Sequence, residues 1–132
     1  MKPLAIVIQF PGSNCEYETR LALDHCGFDA RILRWNDDPS LVLEAQTIVL
    51  PGGFSYQDRV RAGAIAAKLP IIDIIKQANE KNTLIMGICN GCQILVETGL
   101  VPNIDQDMAC ALTYNHTANT PVEYCCKWVH VK

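Results

Sequence analysis

The chain has 132 residues, of which 49% are hydrophobic and 19% charged, and its formal net charge is -3. This length and composition fit one folded domain with enough apolar material for a core, and they argue against an intrinsically disordered chain. Lysine and arginine are scattered singly, so no basic stripe could follow a phosphate backbone, and we expect no nucleic-acid partner.

The apolar segments and the cysteines favour a cytoplasmic protein without a membrane partner. The longest apolar region, residues 62–75, is interrupted by Lys68, Pro70 and Asp73, so no run approaches the roughly 20 residues that span a bilayer. The aliphatic run near the start lacks a small-residue cleavage site, so it predicts a first strand rather than a signal peptide. The seven cysteines are irregularly spaced, which favours reduced thiols over a disulfide framework.

The first 35 residues predict a strand, a helix and a second strand. Residues 3–9 are almost all aliphatic, as in a strand buried on both faces of a parallel sheet. Ser13 and Glu16 have the spacing of a capping box, which predicts a helix that stops at Gly27. The run "DARILRW", residues 29–35, predicts the second strand.

Apolar runs and helical patterns alternate along the rest of the chain. Strands are predicted at residues 47–53 and 82–88, and helices at residues 64–81 and 92–98. This alternation predicts an α/β fold: an open, doubly wound, flavodoxin-like and mostly parallel sheet with helices on both faces. Ligands bind such sheets beyond the carboxyl ends of the strands. The candidate loops are residues 10–15, 51–58 and 89–91.

The segment "GICNG" predicts a nucleophile elbow. Gly87, Cys89 and Gly91 match the pattern Gly-x-nucleophile-x-Gly, in which a side chain two residues before or after the nucleophile would collide with neighbouring backbone. A thiol at the N-terminus of a helix lies near unpaired N–H groups and the positive end of the helix dipole, which favours the thiolate. Cys89 is therefore the candidate nucleophile.

An attacked carbonyl develops negative charge on its oxygen and needs fixed donors, usually backbone N–H groups. The amide of Asn90, directly after the nucleophile, is one candidate. The "PGG" segment at the end of a neighbouring strand offers the second, because glycine lets backbone approach a ligand closely. We expect this donor to be Gly53, with Gly52 as the next choice.

Other interpretations of the cysteines remain open. Cys89 and Cys92 have the spacing of a redox pair or of half a zinc site. The other cysteines and the histidines are not in ligand spacing, so we expect no metal. The redox interpretation explains neither Gly87 nor "PGG". Because cysteine is among the most buried residue types, four further cysteines are predicted to lie in the core: Cys26, Cys110, Cys125 and Cys126.

Several segments resemble a known family. "GICNGCQIL" and "LPGGFSYQD" resemble the nucleophile elbow and oxyanion loop of class I glutamine amidotransferases. "QFPGSNCE", "GGFSYQDRVRAGAIA" and "CKWVHV" are more specifically similar to the glutaminase subunits of phosphoribosylformylglycinamidine synthases. The resemblance extends over nearly the whole chain, whereas "GxCxG" alone also occurs in other thiol families of similar fold.

The resemblance implies glutamine hydrolysis through a thioester on Cys89, with Gln93, Phe54 and Ser55 near the substrate L-glutamine. It implies that the ammonia passes to a synthetase subunit, which uses ATP to convert formylglycinamide ribonucleotide to its amidine. No cofactor is expected in this chain, since ATP and magnesium bind the synthetase. A small bridging subunit is a further candidate partner.

The resemblance places residues 54–63 near the glutamine pocket or a partner interface, whereas the residues alone are equally those of a solvated loop and first helical turn. Individual roles within this segment stay open for four residues: Gln57, Asp58, Arg59 and Arg61.

One expected feature is missing from the sequence. The family's thiolate is served by a histidine in a downstream His-x-Glu stretch, but neither His116 nor His130 has an acid two residues on. We therefore expect residues 1–132 to be the amino-terminal part of one amidotransferase domain. Such a chain is expected to be inactive alone, because losing the base costs orders of magnitude in rate. It is also expected to form a homo-oligomer over an exposed sheet edge.

Two rival functions remain on sequence grounds. One is a cysteine-elbow hydrolase or chaperone-like protein of similar fold, and the other is a non-catalytic interaction module. Selective reaction of Cys89 with a glutamine-like reagent distinguishes an amidotransferase from both.

Overall fold

A parallel sheet forms the centre of the computed structural model, which describes residues 1–104, 108–113, 116–117, 120–121 and 128–130. Within these residues the sheet has four strands, β1 (Leu4–Gln9), β2 (Asp29–Arg34), β3 (Thr47–Leu50) and β4 (Leu84–Gly87), in the order β2-β1-β3-β4. All of these strands are parallel, so their carboxyl ends lie at one edge. The order reverses between β1 and β3, where doubly wound sheets bind their ligands.

Helices cover both faces of the sheet. They are α1 (Glu16–His25), α2 (Ser40–Glu44), α3 (Ile71–Glu80) and α4 (Asn90–Thr98). On one face, alternate side chains of β1 and β3 pack with α2, α3 and α4 in the main core: Ile6, Ile8, Ile48 and Leu50. The intervening residues Ala5, Val7 and Val49 point to the other face and are equally buried. The doubly wound α/β prediction is thus confirmed.

The predicted capping box is wrong. Helix α1 begins after Cys15 without a side-chain cap, and the Ser13 hydroxyl instead accepts a hydrogen bond from Phe10 N at 3.0 Å. The cause is tertiary: Ser13 pairs with Gly53 in an antiparallel bridge. Ser13 therefore belongs to a loop that is held against the end of β3, and not to the helix end.

The helix predicted over residues 64–81 is interrupted. Ala66–Lys68 form a 3₁₀ turn, Leu69 is extended, and α3 starts only after Pro70. The residue before a proline is pushed out of the helical region by the pyrrolidine ring, which accounts for the break. Helix α2 was not predicted, because its five residues are too short to show a periodic pattern.

Two of the predicted core cysteines are wrong, since Cys26 and Cys110 are exposed. Cys26 is the C-cap residue of α1, and it lies at a helix end that is exposed to solvent rather than packed in the core. Cys125 and Cys126 lie outside the described residues. Among the helices of the described part, none combines the length and hydropathy needed to cross a bilayer.

Candidate active site

Cys89 lies on a sharp turn between the last residue of β4 and the first residue of α4. Its backbone has φ 53° and ψ -112°, a conformation that L-residues rarely adopt and that costs roughly 1–3 kcal/mol. Such strain persists where the surrounding structure enforces it, and it is common at functional sites. The thiol of Cys89 is exposed. The geometry is that of the predicted elbow.

The two glycines of the elbow are required by close backbone packing. A Cβ on Gly87 would lie 2.7 Å from Cys92 N, and a Cβ on Gly91 would overlap the carbonyl of Leu50 at the end of β3. Real Cβ contacts are essentially never this short. The steric reason given for the Gly-x-Cys-x-Gly pattern therefore holds in the structure, and Gly91 also brings α4 against β3.

Gly53 occupies a position that only glycine can take. Its φ is 150°, and a Cβ there would lie 2.6 Å from Gly12 O. Next to the Ser13–Gly53 bridge, Asn14 N donates to Gly52 O at 3.2 Å and Phe54 N donates to Gly12 O at 2.9 Å. This pairing directs the Gly53 N–H away from the β1 loop (residues 10–15). Among the described residues it meets no backbone acceptor.

Gly52 brings the three predicted loops together. The position of a Cβ on Gly52 lies 3.6 Å from Cys89 Cβ and 3.5 Å from Cys15 Sγ. Cys15 belongs to the β1 loop, Gly52 to the β3 loop (residues 51–65) and Cys89 to the elbow. The loops therefore converge at the carboxyl edge of the sheet as predicted. Sequence reasoning did not single out Cys15, although it lies in a loop that was named as a ligand-binding candidate.

Asn90 offers a backbone N–H beside Cys89, and its side chain binds the β3 loop and Gln93. Its N–H, like that of Gly53, has no backbone acceptor among the described residues. Its side chain is 2% exposed. The Oδ1 atom accepts from Ser55 N at 3.0 Å, while Nδ2 donates to Gln93 Oε1 at 2.9 Å and to Asp58 Oδ1 at 3.2 Å. The sequence predicted only the backbone amide of Asn90.

The predicted substrate residues have different environments. Phe54 is 63% exposed, whereas Ser55 is 2% exposed and its hydroxyl has no partner among the described residues. Gln93 is half-buried, and its carbonyl is engaged by Asn90. Phe54 is thus open to solvent, Gln93 is held by Asn90 through its carbonyl, and Ser55 is buried within the β3 loop.

The β3 loop contains a run of left-handed residues. Tyr56, Gln57, Asp58 and Val60 have φ values of 52°, 58°, 53° and 71°, which is unusual for residues with side chains. Besides the Asn90 hydrogen bonds, Tyr56 N donates to Pro11 O at 2.9 Å. The loop is therefore held both by the β1 loop and by α4.

A bidentate ion pair also joins the β3 loop to α4. Arg61 donates to both carboxylate oxygens of Glu97, at 2.5 and 2.6 Å, and the Glu97 side chain is only 6% exposed. These hydrogen bonds raise the pKa of the Arg61 guanidinium above its ordinary value. The charge of Arg61 is therefore used structurally, which assigns a role to a residue that the sequence left open.

An open cleft of about 410 Å³ borders the β1 and β3 loops. Its lining comprises Pro11, Gly12, Tyr56, Gln57, Arg59 and Ile65. In the part of the chain that the structure describes, histidine, cysteine, aspartate and glutamate form no cluster of three that could hold a metal ion.

Comparisons with known proteins agree with this geometry. The family model of CobB/CobQ-like glutamine amidotransferase domains matches residues 2–132. The phosphoribosylformylglycinamidine synthase subunit PurQ of Methanothrix thermoacetophila is 53% identical over 96 residues, which are 73% of this chain and 37% of the relative. The same subunit of Thermotoga maritima is 42% identical over 129 residues, covering 98% of this chain and 54% of the relative.

A solved structure shows the same fold. The structure of PurLQS from Thermotoga maritima matches with a TM-score of 0.70 and 46% sequence identity, over 76% of this chain and 46% of that chain. The chain thus spans about half the length of the relatives it matches, from 37% to 54% in these comparisons.

Proposed function

The chain belongs to the family of CobB/CobQ-like glutamine amidotransferase domains, and on this premise we propose that it carries the thiol centre of a glutaminase that serves phosphoribosylformylglycinamidine synthase. The observation that supports this proposal is the strained elbow at Cys89, which has the Asn90 N–H next to it in the chain and Gly52 in contact with it. The N–H groups of Asn90 and of Gly53, the residue after Gly52, have no backbone acceptor among the described residues. Acyl transfer to a thiolate requires these features together.

The chemistry begins with attack of the Cys89 thiolate on the side-chain amide carbon of L-glutamine. A carbon–sulfur bond forms, and the negative charge that develops on the amide oxygen is stabilised by the Asn90 and Gly53 amides. A single donor of this kind contributes about 2.7–4 kcal/mol to transition-state stabilisation. The carbon–nitrogen bond then breaks, ammonia leaves after taking up a proton, and water hydrolyses the γ-glutamyl thioester to glutamate.

The destination of the ammonia in this proposal is a synthetase subunit. The support is that relatives sharing 42% and 53% identity are PurQ subunits of phosphoribosylformylglycinamidine synthase, and that one of the solved structures that match is a structure of PurLQS. ATP and magnesium then bind the synthetase, which amidates formylglycinamide ribonucleotide, and a small bridging subunit completes the complex. The site of action is the cytoplasm.

The proposal assigns the general base to a part of the domain beyond residues 1–132. His116 and His130 are the histidines that follow Cys89, and neither begins a His-x-Glu stretch. The 132 residues then correspond to the amino-terminal portion of one amidotransferase domain. The support for this assignment is that the matched residues make up 37% of one relative and 54% of the other.

The first prediction tests the nucleophile with a diazo-ketone analogue of glutamine, followed by intact mass and peptide mapping. We expect one adduct, located on Cys89 and suppressed by L-glutamine but not by L-asparagine. Cys89→Ala is expected to abolish the adduct. The matched control Cys92→Ala removes an exposed thiol three residues away and is expected to leave it.

Adducts distributed over several cysteines without protection by glutamine would indicate general thiol reactivity, and thus a protein of another class. A folded chain that takes up no label would also contradict the proposal.

A further inference from the structure

The buried amide of Asn90 has one possible orientation. Ser55 N is a backbone donor, so the atom facing it at 3.0 Å must be the carbonyl oxygen Oδ1. The NH₂ group then donates both of its hydrogens, one to Asp58 and one to Gln93. All hydrogen-bonding groups of a side chain that is 2% exposed are therefore directed at specific partners, which is the arrangement of a rigid connection.

This connection joins the two candidate oxyanion donors. One donor is the backbone N–H of Asn90 itself. The other is the backbone N–H of Gly53, which lies two residues before Ser55. The N–H of Ser55 donates to the Asn90 side chain. Beyond Ser55 the loop continues through left-handed Tyr56, Gln57 and Asp58, and Asp58 is again bound by Asn90. Asn90 therefore contacts the β3 loop directly before its left-handed residues, at Ser55, and again at the third of them, Asp58.

We propose that the Asn90 side chain is a positioning residue that sets the separation of the Gly53 and Asn90 amides, and so determines the rate of acyl transfer to Cys89. This inference rests on the proposed glutaminase function. It predicts that reactions passing through an oxyanion depend on the side chain, whereas alkylation of the same thiol does not, because displacement at a saturated carbon develops no oxyanion.

The test compares two reactions of Cys89 in the full chain. The para-nitrophenyl γ-ester of L-glutamate acylates the thiolate: a sulfur–carbon bond forms, the ester carbon–oxygen bond breaks, and nitrophenolate leaves without needing a proton donor. Its release is followed as a burst over a range of ester concentrations. Iodoacetamide alkylates the same sulfur by displacement of iodide, and its rate measures the accessibility and ionisation of the thiol.

Asn90→Ala is expected to slow the burst about tenfold or more, since loss of one oxyanion donor costs about 10²–10³ in rate and a displaced donor retains part of its effect. The half-saturating ester concentration and the iodoacetamide rate are expected to stay within about twofold of wild type, because neither depends on the oxyanion donors. Thr98→Val serves as the matched control. Thr98 is also buried on α4 and its hydroxyl donates to Leu95 O at 2.8 Å, so this variant is expected to change neither reaction.

A polarity exchange gives a second, independent readout. Asn90→Asp keeps the acceptor for Ser55 N but turns a second oxygen towards two acceptors, Asp58 Oδ1 and Gln93 Oε1, so we expect a slow burst. Asp58→Asn alone still offers an acceptor to Asn90 and is expected to slow the burst less than Asn90→Asp does. The double variant N90D/D58N restores a donor–acceptor pair in the reverse sense, and rotation of the Gln93 amide directs its NH₂ group to the new carboxylate. We expect this double variant to react faster than Asn90→Asp and to recover part of the lost rate.

The outcomes separate the inference from the proposed function. A wild-type burst that Asn90→Ala leaves unchanged overturns the positioning role alone. An equal decrease of the acylation rate and the alkylation rate in Asn90→Ala also overturns the positioning role, since it would show that Asn90 only maintains the fold. A wild type that gives no Cys89-dependent burst overturns the proposed function and this inference with it. Near-UV circular dichroism identifies folded variants, and the exchange pair decides the matter if Asn90→Ala does not fold.

Discussion

At the scale of single residues, the glycines around Cys89 have different tasks. Gly91 allows α4 to approach β3, because any side chain there would overlap the Leu50 carbonyl. Gly52 is not in the left-handed region, and a Cβ there would make only ordinary contacts, at 3.5 Å to Cys15 Sγ and 3.6 Å to Cys89 Cβ. Gly91 is thus needed for the fold, while Gly52 keeps open the space between two thiols.

This difference predicts that substitution by alanine affects stability at Gly91 and the reactivity of Cys89 at Gly52. Gly91→Ala is expected to destabilise the chain by about 1–3 kcal/mol or more, because backbone atoms must move. Gly52→Ala is expected to change the free energy of unfolding by less than about 0.5 kcal/mol. It is nevertheless expected to slow the labelling of Cys89, because the added methyl group reduces the space through which a reagent reaches the thiol. Urea denaturation and iodoacetamide kinetics measure the two effects. Equal destabilisation by both substitutions would contradict the assignment.

At the scale of elements, the β3 loop is fixed to α4 at two points. Asn90 holds it near the start of the helix, and Glu97 holds it near the end through Arg61. Four left-handed residues lie between Gly53 and Arg61, and their strain is tolerable only where neighbouring contacts enforce it. The helix that follows the candidate nucleophile therefore also supports the loop that carries the second candidate amide donor.

The ion pair predicts an order of thermal stability. Arg61→Met leaves the Glu97 carboxylate, whose side chain is 6% exposed, without its partner, and an unpaired buried charge is costly. Glu97→Gln leaves Arg61 charged but 42% exposed to solvent, which costs less. We expect Tm to fall more for R61M than for E97Q, and the double variant R61M/E97Q to melt above R61M. A double variant that melts below R61M would show that the carboxylate has another stabilising partner.

At the scale of the whole molecule, the site lies at the switch point of the sheet. The crossover order β2-β1-β3-β4 places the loops after β1 and β3 side by side, and α4 contacts β3 and β4. The candidate nucleophile and both candidate amide donors are thus assembled within residues 53–90, all of which the structure describes.

The proposal that the general base lies outside residues 1–132 predicts that acylation and turnover will separate. With the nitrophenyl ester, the 132-residue chain is expected to release one equivalent of nitrophenolate per Cys89 and then to stall as the thioester. With L-glutamine, we expect ammonia release about 10²–10⁴-fold slower than in the PurQ relatives, because a general base typically contributes that factor. Intact mass detects the thioester, and a coupled ammonia assay measures turnover. Rates equal to those of the relatives would show that another group acts as the base.

The sequence by itself determined the parts of this protein that depend on short-range patterns. The aliphatic runs identified β1 to β4, and the Gly-x-Cys-x-Gly spacing identified the elbow with its steric cause. Local steric limits act on neighbouring residues, so a single chain segment displays them. The same local rules failed at Ser13, where a capping box was predicted, because pairing with Gly53 outweighed the helix-end preference.

Tertiary structure alone decided which distant side chains meet. The Asn90–Ser55 hydrogen bond joins residues 35 positions apart and the Arg61–Glu97 pair joins residues 36 apart, and no local pattern encodes either contact. The approach of Cys15 to Gly52 and the exposure of Cys26 likewise follow from how loops and helices pack. The physical reason is that backbone conformation depends mainly on near neighbours, whereas burial and side-chain pairing depend on the crossover connections that bring separate strands to one edge of the sheet.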